Sequence, residues 1–173
     1  MSNIAKQEKD ISDAKHEALY DRFVEKTNEL FEKGQEKSEE AWEKAMEIAR
    51  QQMAVAGEFS AEQGEVFKRY LRRDLEHTVK DMHRLGEEAK ELLNPARLGA
   101  GALSTLAKVL HATGNALMSL SDKAESALVY KTGEVTMAGT LTCSECGKPI
   151  HLKKTGVVPP CPACASTAFR KSY

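Results

Sequence analysis

Apolar residues recur at steps of three and four positions through most of the first 128 residues. Such spacing places apolar side chains on one face of an α-helix and polar side chains on the other. The pattern predicts four helices, over about residues 3–33, 36–56, 61–93 and 97–127. The positions that define the first three apolar faces are Leu19, Tyr20, Phe23, Val24, Thr27, Leu30 and Phe31, then Trp42, Ala45, Met46, Ala49, Met53 and Ala56, then Phe67, Leu71, Leu75, Thr78, Met82, Leu85, Ala89 and Leu92.

Residues that begin or end helices lie at the junctions of these stretches. Gly34 interrupts the first stripe, and Asn94-Pro95 ends the third, because the residue before a proline avoids the helical region. Ser60, followed three residues later by Gln63, predicts a capping box at the start of the third helix. We therefore expect a bundle or an elongated hairpin of about four helices.

The fourth predicted helix differs from the others because residues 98–121 contain a single charged side chain, Lys108. A helix that binds a membrane surface carries many Lys or Arg residues on its polar face, which this segment lacks. We expect it to be buried against the other helices or to form a seam between copies of the chain. No apolar run reaches the roughly 18 residues that would span a membrane. The polar N-terminus has no signal-peptide core, which favours the cytoplasm.

After about residue 128 the hydrophobic period shortens from that of a helix to that of a strand. Short strands are predicted at 129–132, 135–136, 140–142, 150–152 and 168–170, with breaks at Gly133 and Gly139. The chain is thus predicted to be an α+β protein. A helical region over residues 1–128 precedes a small antiparallel β domain over residues 129–173.

All four cysteines of the chain lie in this β domain, in the pairs Cys143-Ser144-Glu145-Cys146 and Cys161-Pro162-Ala163-Cys164. Each pair can form a knuckle that directs two thiolates at one point, and 14 residues separate the pairs. Two such knuckles supply the four sulfur ligands of a tetrahedral zinc site. We predict a four-cysteine zinc ribbon in which one Zn²⁺ ion is bound by Cys143, Cys146, Cys161 and Cys164.

Two other uses of these thiols remain open. Pro162 inside the second pair and Gly147 after the first are similar to rubredoxin, in which four thiolates hold one iron ion. Zinc is favoured over iron because the segment lacks the longer spacer and the aromatic core of that fold. Paired thiols are also reactive, so a redox switch that releases zinc on oxidation is an alternative. The residue after each pair often needs a positive φ, which suits Gly147 better than Ala165.

Charge is segregated along the chain, although its formal sum is only −1. Residues 1–92 carry 16 basic and 22 acidic side chains, whereas residues 93–173 carry 9 and 4. The ribbon has five basic residues against one acidic residue from Thr140 onward, which makes nucleic acid a candidate partner. Four thiolates around Zn²⁺ offset part of this charge, so the case is weak. The candidate contacts are Lys148, Lys153, Lys154, Arg170 and Lys171.

No motif of a known enzyme class is present: the chain has no P-loop, no GxGxxG turn, no GxSxG elbow and no HExxH helix. The pairs Asp13/His16 and Asp74/His77 are interpreted as part of a solvated face rather than as half of a di-iron site. The charged run over residues 69–76 is interpreted in the same way. A four-cysteine site also leaves no open coordination position, so the chain is predicted not to be an enzyme.

The C-terminal part of the chain contains a Gly-Glu-Val sequence, the two cysteine pairs and a Phe-Arg dipeptide. The positions of this pattern are Gly133, Glu134, Val135, Gly139, Leu141, Cys143, Cys146, Pro160, Cys161, Pro162, Cys164, Phe169 and Arg170. This pattern resembles the YbeL-like proteins, a family of uncharacterised bacterial proteins that contain a zinc ribbon. The segments Gly57-Glu58-Phe59 and Arg72-Arg73-Asp74-Leu75 are also similar to that family. The resemblance implies a zinc-binding cytoplasmic protein with a charged helical N-terminal part, and it implies no activity.

These observations predict a non-catalytic zinc-binding protein that acts as a protein-interaction or regulatory module. Its amphipathic helices would bind an unidentified protein partner or mediate self-association, and its ribbon would present a rigid surface. Nucleic-acid association through the basic ribbon face and a thiol-based redox sensor are the alternatives. Zinc removal is expected to unfold the ribbon and to leave the helical region folded, because the apolar stripes of the helices do not depend on the thiols.

Overall fold

The computed structural model describes residues 2–85 and 129–172, together with Thr105 and Ala107. Three helices come first: α1 (Ser2–Lys33), α2 (Glu39–Val55) and α3 (Ala61–Leu85). They confirm the first three predicted helices. The predicted end of the third helix at residue 93 lies outside the described residues. So does the predicted fourth helix over 97–127, apart from Thr105 and Ala107, which are helical.

Side-chain caps explain where α2 and α3 begin. The Ser38 hydroxyl accepts a hydrogen bond from the Ala41 amide at 3.2 Å, so α2 begins at Glu39 rather than at residue 36. The predicted capping box is present at α3: the Gln63 amide donates to the Ser60 hydroxyl, and the Ser60 amide donates to the Gln63 side-chain oxygen, both at 3.2 Å. Helix α1 ends directly before Gly34, as predicted.

The apolar faces of the three helices form one core. The single tryptophan, Trp42, is 1% exposed, and its ring meets that of Phe31 edge to face. Every predicted apolar position of α2 is buried except Ala56, which caps the end of the helix and is exposed. Ala107 belongs to the same core. Within the described ranges, no helix has the combination of length and apolar character that crossing a membrane requires.

Over residues 129–172 the structure has six short strands: β1 (Tyr130–Lys131), β2 (Val135–Thr136), β3 (Gly139–Cys143), β4 (Pro149–Leu152), β5 (Gly156–Val157) and β6 (Ala168–Ser172). All pairings are antiparallel. A four-stranded sheet has the order β1-β6-β3-β4, and β2 pairs with β5 in a separate two-stranded sheet. The five predicted strands are present. Strand β5 was missed, because two residues are too few to show a period.

The buried apolar residues of the ribbon belong to two separate cores. Val135 and Met137 belong to the helical core, since the two-stranded sheet packs against α1 and α3. A second, smaller core lies within the ribbon and consists of Tyr130, Leu141, Cys143, Val158, Cys161 and Phe169. The structure is therefore α+β, with a helical layer, a docked two-stranded sheet and a four-stranded sheet. The division into domains at residue 128 stays a prediction.

Candidate metal centre

The four predicted ligands converge at one end of the four-stranded sheet. Cys143 is the last residue of β3 and Cys146 lies in the turn before β4, whereas Cys161 and Cys164 lie in the loop before β6. The sulfur atoms of Cys143 and Cys164 are 3.6 Å apart, as are those of Cys146 and Cys161. All four sulfurs lie within 4.8 Å of one another. Cys143 and Cys161 are buried and the other two are exposed.

The two knuckles share one backbone geometry. The Gly147 amide donates to the Cys143 carbonyl at 3.1 Å, and the Ala165 amide donates to the Cys161 carbonyl at 2.8 Å. The amides of Cys143 and Cys161 donate to carbonyls five residues later, at 3.0 and 2.9 Å. The residue after each knuckle has a positive φ, +73° at Gly147 and +58° at Ala165. Ala165 is therefore an L-residue in the left-handed region, which is strained for any residue with a Cβ.

This donor set fits a tetrahedral zinc ion. A zinc–sulfur bond of about 2.3 Å implies tetrahedral sulfur–sulfur distances of about 3.8 Å, close to the two separations of 3.6 Å. A disulfide would need a separation of about 2.05 Å, and all four cysteines are free. Four thiolates are soft ligands, which suit zinc or iron rather than magnesium or calcium. Cys143, Cys146, Cys161 and Cys164 would hold the ion.

The electrostatics of the four thiols also favour a bound cation. The backbone amide of Cys146 bonds to the Cys143 sulfur and lowers the pKa of that thiol to about 6 despite its burial. The amide of Ala163 lowers the pKa of Cys161 in the same way. At Cys164 the amide of Ser166 also favours the thiolate, but hydrogen bonds with the neighbouring sulfurs, that of Cys146 first, outweigh it and raise the pKa to about 12. Backbone amides thus favour the thiolate form of Cys143 and Cys161, which is the form in which cysteine binds a metal ion.

Of the five candidate nucleic-acid contacts, four are exposed: Lys148, Lys153, Lys154 and Arg170. Lys154 pairs with Glu17 of α1 at 3.2 Å. Within the described part of the chain, Lys148, Lys153 and Arg170 form no ion pair. Lys131 of β1 is a further exposed cation of the ribbon.

The prediction that Lys171 contacts nucleic acid is wrong. Its side chain is 5% exposed and points into the molecule, where the ammonium donates to the Thr136 hydroxyl at 2.9 Å and to the Met137 carbonyl at 2.6 Å. The physical reason is strand alternation. Arg170 and Lys171 are neighbours on β6, so their side chains leave opposite faces of the sheet, and only Arg170 faces the solvent.

Next to Lys171 lies a buried polar cluster that the sequence interpretation missed. Asp74 of α3 is completely buried, and its carboxylate accepts hydrogen bonds from the Tyr20 hydroxyl at 3.0 Å, the Thr136 hydroxyl at 2.9 Å and the Met137 amide at 3.1 Å. Arg73 is 7% exposed; it pairs with Glu134 and donates to the Val135 carbonyl at 3.3 Å. The interpretation of this part of α3 as a solvated face is therefore wrong for these residues and for His77, which is 7% exposed.

The charges of this polar cluster hold one another in their ionised forms. Burial opposes ionisation of Asp74, but the charges of Lys171 and Arg73 and its hydrogen bonds outweigh burial and lower the pKa of the carboxyl. Burial also lowers the pKa of Lys171, to about 8, because the attraction of Asp74 offsets only part of the desolvation. Asp74 and Tyr130 raise the pKa of Arg73 despite its burial.

Helical spacing could have identified Asp74. It lies three positions after Leu71 and four before Thr78, both of which are buried, so it falls on the apolar stripe. A charged residue at a stripe position indicates a buried polar partner, because an unpaired buried carboxylate is very costly. The partners lie 54 to 63 positions away from Asp74 in the chain, and no local pattern indicates them.

Comparison with known proteins gives one match. The model of a family described as a zinc-ribbon containing domain matches residues 29–172, which include most of the helical layer and the whole ribbon up to β6. No curated protein and no solved structure matches the chain.

Proposed function

Since the chain belongs to the zinc-ribbon containing domain family, we propose that it is a non-catalytic zinc-binding protein whose metal centre holds a surface for a protein partner. The finer assignment to bacterial YbeL-like proteins belongs to this proposal and is supported by the pattern from Gly133 to Arg170. A cytoplasmic location also belongs to it, because four reduced thiols persist in a reducing compartment.

The observation that carries the proposal is the convergence of four sulfurs within 4.8 Å of one another. Four cysteine ligands complete the coordination of a tetrahedral zinc ion. A catalytic zinc needs a position open to water or substrate, and a closed four-sulfur shell has none. The metal would therefore stabilise the ribbon rather than activate a substrate.

The partner surface that we propose is the knuckle end, defined as residues 144–149 and 160–165 apart from the buried Cys161. All these residues are exposed; Pro149, Pro160, Pro162, Ala163 and Ala165 contribute apolar surface, and Glu145 and Lys148 contribute one charge of each sign. Among residues 12–81 and 129–171, whose side-chain burial the structure describes, the apolar stripes of the helices lie mainly in the core, and Val55 and Val129 are the exposed large hydrophobic residues. The knuckle end thus fits a protein partner better than the helical stripes do.

The metal itself can be tested with cobalt. Purified protein should contain one zinc ion per chain by elemental analysis. Replacement by Co²⁺ should give the visible absorption of a tetrahedral four-thiolate site, unchanged by added azide because no exchangeable ligand is present. Cys146→Ala should weaken the absorption, whereas Ser144→Ala in the same knuckle should not. A cobalt spectrum that responds to azide would contradict the closed, non-catalytic site.

The partner surface can be tested by photo-crosslinking in cells. A photoreactive residue in place of Ala163 should capture one defined protein, and purified partner and chain should then bind each other. The control is the same residue in place of Val55, which is 91% exposed on α2. Loss of the specific product after zinc chelation is expected. Equal products from both positions, or none from Ala163, would reject the knuckle end as the contact surface.

Nucleic-acid association is the second candidate function, favoured by the exposed cations Lys131, Lys148, Lys153 and Arg170, which have no ion-pair partner among the described residues. Binding of this kind should weaken steeply with salt. Lys153→Glu combined with Arg170→Glu should reduce the salt slope, whereas Lys44→Glu on α2 should have little effect. Absence of salt-dependent binding to single- and double-stranded probes would exclude this function.

A further inference from the structure

The ribbon is joined to the helical layer by charged and polar groups from α1 and α3. Helix α1 provides Glu17, which accepts a hydrogen bond from the Val157 amide at 3.3 Å, and Asp21, which accepts one from the Thr155 hydroxyl at 2.6 Å. Helix α3 provides Arg73 and Asp74. Both helices therefore hold the ribbon at several points, and its docking is an integral part of the fold rather than a flexible attachment.

Asp74 lies at the centre of this junction and depends on groups from both sides. One of its donors, Tyr20, comes from α1, and the other two, Thr136 and Met137, come from the segment around β2. Its nearest positive charges include Lys171 of β6 and Arg73 of its own helix. If the ribbon left its position, the carboxylate would lose Lys171 and two of its three donors.

Strand β6 connects this junction to the metal centre. Phe169 of β6 pairs with Cys143 of β3 and lies in the small core beneath the knuckles. Lys171 is two residues further along the same strand, so its side chain leaves the sheet on the same face as that of Phe169. One end of β6 is thus held by the small core at the metal site, and Lys171 near the other end lies next to Asp74.

We propose that the helical layer and the ribbon unfold as one cooperative unit, so that zinc occupancy controls the stability of the helices through β6, with Lys171 and Asp74 as the positioning residues of the link. The inference rests on zinc binding as proposed above. When zinc leaves, the small ribbon core no longer holds β6, and Lys171 withdraws from Asp74. The Asp74 carboxylate then keeps only Tyr20 as a donor and Arg73 as a nearby positive charge, and the helices lose stability. This replaces the expectation that the helical region is indifferent to chelation.

The family match begins at residue 29, near the end of α1, and continues to residue 172 in β6, so it includes α2, α3 and the ribbon.

Trp42 allows a direct test, because it is the only tryptophan and lies in the helical core, in α2. Urea unfolding of the full chain is followed by Trp42 fluorescence, with zinc bound and after chelation verified by elemental analysis. We expect the unfolding midpoint to fall clearly on zinc removal. An unchanged midpoint after verified zinc removal would overturn the coupling while leaving zinc binding intact. A chain that binds no zinc at all would overturn both the coupling and the proposed function.

Substitutions locate the link. Lys171→Met should keep one zinc per chain but reduce the shift of the Trp42 midpoint caused by zinc removal by at least half, whereas Lys153→Met, an exposed ribbon lysine, should keep the full shift. If both variants keep the full shift, β6 is not the link.

The reverse measurement stays informative if Lys171→Met does not fold. Coupling between two sites is reciprocal, so a mild defect in the helical core should weaken zinc retention. Met46 is completely buried in α2, and Met46→Val should weaken zinc affinity, measured at equilibrium in competition with a coloured chelator, by about fivefold or more. Gln51→Ala, exposed on the same helix, is the control. Equal zinc affinities for wild type, Met46→Val and Gln51→Ala would overturn the proposal.

Discussion

Replacing Ala165 with glycine should stabilise the ribbon and tighten zinc binding. Ala165 has φ +58°, the left-handed region, whereas its counterpart Gly147 has φ +73° and no atoms within 4 Å of where a Cβ would lie. The left-handed conformation costs an L-residue roughly 1–2 kcal/mol. Glycine loses more chain entropy on folding, about 0.5–1 kcal/mol relative to alanine. The midpoints of these two ranges give a net gain of about 0.75 kcal/mol for Ala165→Gly, and we expect about 0.5–1 kcal/mol.

The reciprocal substitution serves as a matched test. Gly147→Ala should lose about 0.5–1 kcal/mol through the same two terms, since an added Cβ meets nothing. The double variant should return close to wild type. Ala163→Gly changes the same amino acid in the same knuckle without a positive φ, so it should be slightly destabilising.

Both thermal unfolding and competition with a coloured zinc chelator report these changes. We expect the melting temperature of Ala165→Gly to rise by about 1–4 °C and its zinc affinity to rise by about two- to fivefold. Gly147→Ala should change both quantities by similar amounts in the opposite direction. A neutral or destabilising Ala165→Gly together with a tolerated Gly147→Ala would refute the assigned knuckle geometry.

Three further predictions concern other parts of the fold. Gly64→Ala should lower the free energy of unfolding by about 1–3 kcal/mol, although alanine favours helices. The added Cβ would lie 2.8 Å from the Phe59 ring and 2.7 Å from the Arg50 side chain. Urea unfolding measures this change, and a stabilised variant would contradict the prediction. Ser38→Ala should cost about 1 kcal/mol through loss of the α2 cap, measured in the same way, and an unchanged midpoint would argue against that cap. Burial lowers the pKa of Lys171 from 10.5 to about 8, so between those values the unfolded chain binds more protons and the free energy of unfolding rises with pH. Lys171→Met should reduce that rise in urea titrations at pH 8 and pH 10, and an equal rise in both proteins would contradict the assignment.

The features that could be predicted from the sequence are those set by local spacing. Within each pair, two residues separate the cysteines, so each knuckle brings its own two sulfurs together without help from the rest of the fold. The apolar stripe of α2 and the Ser60 capping box depend on side chains within one or two helical turns. Local rules were sufficient for these elements.

The features that could not be predicted depend on contacts distant in sequence. Strand β5 has two residues and exists because β2 and α1 supply its partners. Charge alone would place Asp74 and Lys171 in solvent. Helical spacing puts Asp74 on the apolar stripe but does not identify its partners. The burial of both residues is explained only by charges and donors from other elements, which compensate one another once the chain has folded. Lys154 is exposed and Lys171 is buried, but no local pattern distinguishes the two lysines. The contacts that distinguish them come from residues distant in sequence.

A polar junction between ribbon and helices has a structural consequence that an apolar one would lack. Strand β2 pairs with β5 through two residues only. The backbone hydrogen bonds of this pair therefore fix the position of the ribbon only weakly. Apolar contacts tolerate a shift, because they are not directional. The carboxylate of Asp74 instead needs a hydroxyl at residue 136 and an amide at residue 137. A shift of one residue would bring Val135 or Met137 to the place of Thr136, and neither has a hydroxyl. Loss of that donor would leave part of the hydrogen-bonding capacity of the buried carboxylate unsatisfied, which is costly, so the ribbon docks in one register.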